Sequence, residues 1–276
     1  MNIPNLNQSF RKSLDLQPPQ LGLCIMYPSP GVIERIGADW DWVWVDGQHG
    51  ELGYGDVLGL VRACDLIGRP AFVRVPGHEA GPIGKALDTG AAGVIVPCVD
   101  TPAQAAQVVR AAKFPPKGNR SYGGRRPIDL IGRSYAEEAH EIMLIVQIES
   151  PEAVSNIDAI AAVPGVDGIF LGPDDIMLRR GYSMDEPRTP QSLGADMEAV
   201  ANAAKKHGKI AVTVGAGAGV LELCLELGFQ MIVCGGDVPM LATTSKQLST
   251  DARAFVESAK AKSAPSDGRT LIKTLY

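Results

Sequence analysis

The chain has 276 residues, of which 45% are apolar and 21% are charged, and its formal net charge is −5 at pH 7. This length suits one large α/β barrel or two domains of ordinary size. The negative charge and the lack of a long basic run argue against nucleic acid or an anionic membrane as a partner. No apolar stretch reaches the roughly 18–20 residues that a membrane-spanning helix needs.

The first residues and the cysteines favour a cytoplasmic protein. Residues 1–20 are polar, contain no apolar signal-peptide core, and are predicted to form an arm with a short helix over Gln8–Leu14. The five cysteines lack CxxC spacing, which favours buried, reduced thiols. These cysteines are Cys24, Cys64, Cys98, Cys224 and Cys234.

Apolar runs and helix signals then alternate eight times along the chain. The predicted strands are Leu21–Met26, Trp42–Val45, Pro70–Val75, Gly93–Pro97, Leu144–Ile148, Gly168–Leu171, Lys209–Val214 and Met231–Cys234. The predicted helices are Pro30–Ile36, Tyr54–Ile67, Ile83–Thr89, Pro102–Ala112, a helix that begins after Ser150, Ala195–His207, Val220–Leu227 and Val238–Ala261.

Continuous apolar strands are typical of a parallel sheet whose outer side is covered by helices. Eight such units predict a (β/α)8 barrel, a TIM barrel of the α/β class. The prediction is a single domain over residues 1–276, with a polar tail at 262–276. A doubly wound open sheet is the alternative.

Three loops stand out between these elements. Phe114–Arg126 is rich in proline, glycine and arginine, and Gly181–Ser192 is a polar loop that contains proline. Gly215–Gly219 does not match GxGxxG, so we predict a close-packed loop and not a dinucleotide site. The arginines of the first loop either bind a distal anion of a substrate or form a solvated surface. They are Arg120, Arg125 and Arg126.

Six polar side chains fall at or just beyond the carboxyl ends of the predicted strands. On a parallel barrel these ends share one rim, where barrel enzymes keep their active sites. This agreement is the main indication from the residues themselves that the protein is an enzyme. The six are Asp46, His49, Arg74, Glu149, Asp175 and Asp237.

Glu149 and Asp175 are the candidate metal ligands at this rim. Strand alternation turns Glu149 toward the barrel interior together with Gln147. Carboxylate oxygens are hard donors that suit Mg²⁺ or Mn²⁺, with water and substrate in the remaining positions. The alternative is a pair of solvated acids that cap their loops.

Arg74 and His49 are the candidates for chemistry beside these carboxylates. The planar guanidinium of Arg74 suits a carboxylate or a developing enolate oxygen, or else it forms a structural pair with a rim acid. His49 lies in a loop and is either a general base or an ordinary surface residue. Asp88, which stands just before Gly90, is a candidate to orient its ring through a hydrogen bond.

Six motifs, in this order, resemble the HpcH/HpaI aldolase family, the class II metal-dependent pyruvate aldolases. The resemblance runs from about Leu21 to Phe255. Six motifs at family-like spacing are far more specific than any one of them. They cover Trp42–His49, Val73–Arg74, Leu87–Gly90, Phe114–Arg120, Val146–Glu149 and Gly168–Asp175.

The resemblance implies a (β/α)8 barrel that assembles into a homohexamer, with the last helix exchanged between neighbouring subunits. It implies the reversible cleavage of a 4-hydroxy-2-oxo acid to an aldehyde and pyruvate, or a close 2-oxo acid such as hydroxypyruvate. It also implies that Glu149 and Asp175 bind a divalent ion (Mg²⁺, Mn²⁺ or Co²⁺), which pyruvate chelates through its keto and carboxylate oxygens.

The same resemblance implies roles for the other rim residues. Arg74 would stabilise the enolate, and His49, oriented by Asp88, would move the proton. Asp46 and Gln48 would support the loop that carries His49. The substrate would also meet Gln147 and the segment whose backbone amides hold its carboxylate, which is Gly172, Pro173, Asp174 and Asp175.

One position departs from the family pattern. Many members carry Asp-Gly-Glu-His where this chain has Asp46-Gly47-Gln48-His49. An amide in place of a carboxylate removes a charge beside the candidate base, which bears on the rate, the pH optimum and the aldehyde partner.

Two other hypotheses stand beside the aldolase. One is a metal-dependent β-keto-acid decarboxylase or thioester lyase on the same fold, and the other is a non-catalytic barrel.

Overall fold

The computed structural model describes residues 9–14, 19–138 and 142–262. Eight parallel strands form a closed barrel, in which each strand pairs with the next and the last pairs with the first. The (β/α)8 prediction is therefore confirmed, and the open-sheet alternative is wrong. The strands are Gln20–Ile25 (β1), Trp42–Asp46 (β2), Ala71–Arg74 (β3), Gly93–Val96 (β4), Met143–Ile148 (β5), Gly168–Leu171 (β6), Ile210–Val214 (β7) and Met231–Gly236 (β8).

Helices separate the strands as predicted. Within the described part of the chain, none of them is long and apolar enough to cross a membrane. The helices are residues 9–14 (α1), Pro30–Ile36 (α2), Tyr54–Leu66 (α3), Ala80–Asp88 (α4), Pro102–Ala112 (α5), Arg125–Ile131 (α6), Tyr135–Glu138 (α7), Pro151–Ser155 (α8), Ile157–Ala161 (α9), Pro173–Arg179 (α10), Pro190–His207 (α11), Val220–Leu227 (α12) and Asp237–Lys262 (α13).

Helix α11 begins five residues earlier than its apolar pattern predicted. Pro190 occupies the first turn, and the Thr189 side chain accepts a hydrogen bond from the backbone amide of Ser192 at 3.3 Å. Proline at the first helical position and a threonine cap both stabilise a helix start. The end of the predicted loop Gly181–Ser192 is therefore helical.

Aromatic rings fill the interior of the barrel. Trp42 and Phe72 meet edge to face with ring centroids 5.6 Å apart, and Trp44 meets Phe170 in the same manner at 5.3 Å. The side chains of Trp42, Phe72 and Phe170 have no solvent exposure. These inward-facing residues alternate with residues that face the helices, as the twofold period of a strand requires.

The N-terminal helix α1 closes the amino end of the barrel. Phe10 is buried, and its ring lies 5.7 Å from that of Phe72. Arg11 donates to Asp167, directly before β6, at 3.2 Å, and Gln230, directly before β8, donates to the carbonyl of Leu14 at 3.3 Å. The segment predicted as an arm therefore contributes to the core, which leaves the opposite rim as the open end.

The contacts divide the chain into residues 1–237 and residues 238–276. The first unit contains the barrel, and the second contains α13 from Val238 onward. The single domain over residues 1–276 stays a prediction. Residues 263–276 of the predicted tail lie outside the described residues.

Three large apolar side chains on α13 recur every seven residues and are more than half exposed. They are Leu241, Leu248 and Phe255.

We expect Phe72→Ala to lower the free energy of unfolding by about 3–5 kcal/mol, because it opens a cavity between two rings inside the barrel. Urea titration followed by circular dichroism measures this loss. Leu66→Ala is the control, since that side chain at the end of α3 is 64% exposed and its loss is expected to cost about 0.5 kcal/mol or less. Equal effects for the two variants would contradict the assignment of Phe72 to the core.

Candidate active site

The closed barrel brings the predicted polar groups to one rim. Asp46 ends β2 and Arg74 ends β3, and the two residues are partners in the strand register. Glu149 directly follows β5, and Asp175 lies in the first turn of α10, which follows β6. All strands are parallel, so their carboxyl ends necessarily meet at this edge.

Asp46 and Arg74 form a buried bidentate pair. Arg74 donates from Nε to Oδ1 at 2.9 Å and from Nη2 to Oδ2 at 2.6 Å, and neither residue is more than 6% exposed. Burial raises the pKa of Asp46, but the hydrogen bonds and charge of Arg74 outweigh it and the pKa is lowered. The Arg74 guanidinium also lies 4.6 Å from the centre of the Trp44 ring. The predicted structural pair is therefore present, and it orients the guanidinium.

The same aspartate organises the loop that carries His49. Its Oδ1 accepts the backbone amides of Gln48 at 3.1 Å and His49 at 3.2 Å. The amide of Gly47 donates to the carbonyl of Arg74 at 2.9 Å, and a Cβ on Gly47 would stand 2.7 Å from that oxygen. The turn therefore requires glycine, and it presents the His49 side chain at the exposed surface of the rim.

Asp88 is held by Arg120 in this chain. The Arg120 Nη2 donates to Asp88 Oδ1 at 2.8 Å, and Arg120 is 6% exposed. No hydrogen bond joins Asp88 to the ring of His49 among the described residues. Sequence reasoning did not anticipate the Arg120 partner, because that loop carried no apolar periodicity.

The two other loop arginines are also paired within the protein. Arg126 donates to the carbonyl of Thr89 at 2.6 Å and to Asp65, and Arg125 pairs with Asp129 one helical turn away. The Arg126 side chain is 14% exposed. Arg120 is buried and Arg126 is largely buried, and both are bound within the protein, so the solvated-loop prediction is wrong for both. The distal-anion alternative receives no support from their contacts.

Glu149 is 1% exposed, and both of its carboxylate oxygens accept hydrogen bonds. Its Oε1 accepts the backbone amide of Cys98 at 2.7 Å and the Cys98 thiol at 3.0 Å, and its Oε2 accepts Nε2 of Gln147 at 2.5 Å. Burial raises the pKa of Glu149, and the charge of Asp175 raises it further, against the lowering effects of Cys98 and Arg74. Glu149 is therefore not the solvated cap that the alternative prediction required.

Cys98 is a site residue that sequence reasoning missed. It follows β4 by two residues, at the same rim position as the predicted site groups, and that position was the available signal. Its thiol, like those of Cys24 and Cys234, is half-buried, not fully buried as predicted. Burial and the neighbouring Glu149 raise the pKa of this thiol to about 11, so it keeps the proton that it donates.

Asp175 lies at the mouth of the site, with 40% of its side chain exposed. Arg179, one helical turn further along α10, approaches Asp175 Oδ1 at 3.7 Å and the Cys98 sulfur at 3.9 Å. The neighbouring Asp174 turns outward to a bidentate pair with Arg188, at 2.8 and 2.6 Å. Asp175 is therefore the acid of this segment that faces Glu149.

The rim can hold a divalent ion between Glu149 and Asp175. A Cβ on Gly172 would stand 2.7 Å from Glu149 Oε2, so glycine leaves space beside that oxygen, and the buried Oε1 of Gln147 has no partner among the described residues. The described part of the chain contains no group of three or more potential ligands from His, Cys, Asp and Glu. Two carboxylates suit a hard ion whose remaining positions are filled by water or a ligand's oxygens. The donor set therefore fits such an ion.

Asp237, the sixth rim residue, has a structural role. Its carboxylate accepts the backbone amides of Met26 at 3.1 Å and Tyr27 at 2.9 Å. These bonds fix the chain where it leaves β1. Asp237 belongs to the frame of the rim and not to the candidate ligand pair.

The chain matches the family model of HpcH/HpaI aldolase/citrate lyase over residues 27–243. It is 36% identical over 221 residues to a hydroxypyruvate/pyruvate aldolase of Rhizorhabdus wittichii, covering 79% of this chain and 87% of that protein. It is 40% identical over 177 residues to a 4-hydroxy-2-oxovalerate aldolase of Novosphingobium aromaticivorans, covering 63% and 68%. A crystal structure of an HpcH/HpaI aldolase/citrate lyase family protein from Burkholderia cenocepacia superposes with a TM-score of 0.80 at 30% identity, covering 89% and 99%.

We expect Asp46→Asn to lower the free energy of unfolding near neutral pH by about 3–5 kcal/mol, because it leaves Arg74 buried without a counter-charge. The pKa of the Asp46 carboxyl in the folded protein lies below its ordinary value of about 3.9. Its stabilisation is therefore complete above that value and is lost as the pH falls through the folded-state pKa.

Urea titrations between about pH 6 and pH 3 measure both effects. The variant is expected to show a smaller loss of stability below about pH 4 than the wild type. Asp129→Asn, which removes an exposed pair on α6, is the control and is expected to change stability by less than about 1 kcal/mol. Parallel pH curves for Asp46→Asn and wild type would contradict the role assigned to Asp46.

Proposed function

This chain belongs to the HpcH/HpaI aldolase/citrate lyase family and is a class II pyruvate aldolase of that family, and we propose that it cleaves a 4-hydroxy-2-oxo acid with a divalent metal. The products would be an aldehyde and pyruvate or hydroxypyruvate, in a reversible reaction. The names of two relatives, a hydroxypyruvate/pyruvate aldolase and a 4-hydroxy-2-oxovalerate aldolase, support this class of substrate.

The observation that carries the proposal is the buried carboxylate of Glu149 beside Asp175. Burial and the charge of Asp175 both raise the pKa of Glu149, and a cation between the two acids would relieve their repulsion. When bound, the ion supplies Lewis-acid stabilisation of the substrate oxygens, so that no Schiff base is needed. Mg²⁺, Mn²⁺ and Co²⁺ are the candidate ions.

Arg74 is proposed to stabilise the developing enolate oxygen. Its bonds to Asp46 use Nε and Nη2, while Nη1 has no hydrogen-bond partner among the described residues. The charge of Arg74 also lowers the pKa of Glu149, and this electrostatic effect supports a position of the guanidinium near that carboxylate. A fixed donor aimed at developing charge contributes more than a flexible one, because it needs no reorganisation.

The substrate carboxylate is proposed to lie at the start of α10. Pro173 has no amide proton, and Gly172 donates to the carbonyl of Ile148 at 3.0 Å. The amides of Asp174 and Asp175 lie in the first helical turn and therefore have no partner inside the helix. Gln147, with its unpaired buried oxygen, is proposed to bind the substrate beside them.

His49 is proposed to transfer the proton. It would accept the proton of the distal hydroxyl during cleavage, and that of the pyruvate methyl group in the reverse direction. Arg120 uses only Oδ1 of Asp88, and Oδ2 has no hydrogen-bond partner among the described residues. We therefore keep Asp88 as the proposed acceptor that orients the His49 ring, with Asp46 and Gln48 as supports of the loop.

We expect the protein to exchange the methyl protons of pyruvate in D2O when Mg²⁺ or Mn²⁺ is present, and to stop when the ion is chelated. Proton NMR of the methyl signal measures the rate without an aldehyde. Glu149→Gln is expected to abolish exchange by weakening the metal site, and His49→Ala to slow it by roughly a hundredfold or more. Glu152→Gln, an exposed acid on α8, is the matched control.

Absence of exchange with every ion tested would overturn pyruvate as the nucleophile. A metal-dependent β-keto-acid decarboxylase or thioester lyase on the same barrel would then replace the aldolase, and product identification would separate those two. Exchange at the wild-type rate in Glu149→Gln would overturn the assignment of the ligand.

We also propose that the protein is a cytoplasmic homo-oligomer, a hexamer, in which the last helix packs against a neighbouring copy. The support is the exposed apolar stripe of Leu241, Leu248 and Phe255 on α13, because a seven-residue spacing places the three side chains on one helix face. The five free cysteines support the reducing compartment.

We expect Leu248→Asp to lower the mass of the assembly, because it places a charge in the middle of this stripe. Light scattering after size exclusion measures the mass. Thr250→Asp adds the same charge on the opposite face of the helix and is expected to leave the mass unchanged. A monomeric wild type, or equal masses for the two variants, would contradict packing through this face.

A further inference from the structure

Cys98 has a backbone conformation that is unusual for its residue type. Its φ is 55°, and in the described part of the chain every other residue with positive φ is a glycine. A side chain in the left-handed region is strained, and such strain persists only where surrounding contacts enforce it. The conformation directs both the amide and the thiol of Cys98 at one oxygen of Glu149, at 2.7 and 3.0 Å.

These two hydrogen bonds determine which oxygen of Glu149 can still bind a ligand. A carboxylate oxygen has two lone pairs, so Oε1 is fully occupied by the amide and the thiol. Oε2 accepts one bond from Gln147 at 2.5 Å and keeps one lone pair. A Cβ on Gly172 would stand 2.7 Å from Oε2 and would crowd it, but glycine leaves that space free. Glu149 therefore offers one oxygen to a ligand, and that oxygen is Oε2.

We propose that Cys98 is a positioning residue that sets the metal selectivity of the site. Its thiol keeps Oε1 occupied, so Glu149 presents a single oxygen to the ion. Mg²⁺ takes six ligands and accepts single carboxylate oxygens, whereas Ca²⁺ takes six to eight and often binds both oxygens of a carboxylate. A glutamate limited to one oxygen therefore disfavours Ca²⁺ relative to Mg²⁺. This inference rests on the proposed metal-binding role of Glu149.

The thiol acts through Glu149 and not as a ligand. Its hydrogen bond points at Oε1, and Mg²⁺ and Mn²⁺ prefer oxygen donors to sulfur. The backbone amide of residue 98 would still donate after any substitution except proline. Substitution by alanine therefore removes the thiol's hydrogen bond and keeps that of the amide.

Three variants separate the hydrogen bond from the backbone strain. Cys98→Ser keeps a donor, whereas Cys98→Ala and Cys98→Gly remove it. Glycine relaxes the left-handed backbone and alanine does not, so these two differ in strain but share the freed lone pair. Isothermal titration calorimetry of the full-length protein with Mg²⁺, Mn²⁺ and Ca²⁺ gives the dissociation constants.

The ratio of the Ca²⁺ to the Mg²⁺ dissociation constant is expected to fall about tenfold in both Cys98→Ala and Cys98→Gly, which is the effect of one hydrogen bond to a charged group. It is expected to stay within about twofold of wild type in Cys98→Ser. An unchanged ratio in the alanine and glycine variants, or an equal shift in the serine variant, would overturn the inference.

Glu149→Gln separates this inference from the proposed function. If that variant binds all three ions as tightly as wild type, Glu149 is not a ligand and both proposals fail. If Glu149→Gln binds weakly and wild type exchanges pyruvate protons, but the ratio does not move in the alanine and glycine variants, only the role of Cys98 is wrong.

Discussion

The buried ion pair between Asp46 and Arg74 is the interaction on which the rim depends. It joins the ends of β2 and β3, where the register sets the two residues side by side. The aspartate also binds the amides of the His49 loop, so one carboxylate positions both the guanidinium and the candidate base. Burying two charges is costly, and the bidentate geometry with further hydrogen bonds is what offsets that cost.

On the other side of the rim, hydrogen bonds from neutral groups hold Glu149 in place. Glu149 accepts hydrogen bonds from the backbone amide and the thiol of Cys98 and from the side-chain amide of Gln147, all of which are neutral groups. Arg179 approaches Asp175 only at 3.7 Å. Neutral donors orient a carboxylate without cancelling its charge, which leaves the pair able to attract a cation.

The arginine-rich loop that the sequence offered as a binding site for an anion is held by contacts within the protein. Arg120 and Arg126 fasten the segment after α5 to Asp88, Asp65 and the carbonyl of Thr89. These contacts stabilise a region with little apolar content. Helix α1 packs into the amino end of the barrel, so the candidate site lies at the carboxyl rim.

The barrel and the position of Glu149 and Asp175 at its carboxyl rim could be predicted from the sequence. Strand and helix periods are local, and the end of an apolar strand marks the rim wherever the strands are parallel. Glu149 and Asp175 were found because each follows the carboxyl end of such a strand. The family motifs then supplied the reaction that the proposal adopts.

Only the tertiary structure decided which groups pair. Asp46 and Arg74 are 28 residues apart, Asp88 and Arg120 are 32 apart, and Cys98 and Glu149 are 51 apart. No local sequence pattern predicts contacts between residues so far apart in the chain, since these contacts depend on how neighbouring strands align and how loops fold over them. Cys98 looked like an ordinary core thiol, because the left-handed backbone that directs it at Glu149 exists only once β4 and β5 lie side by side.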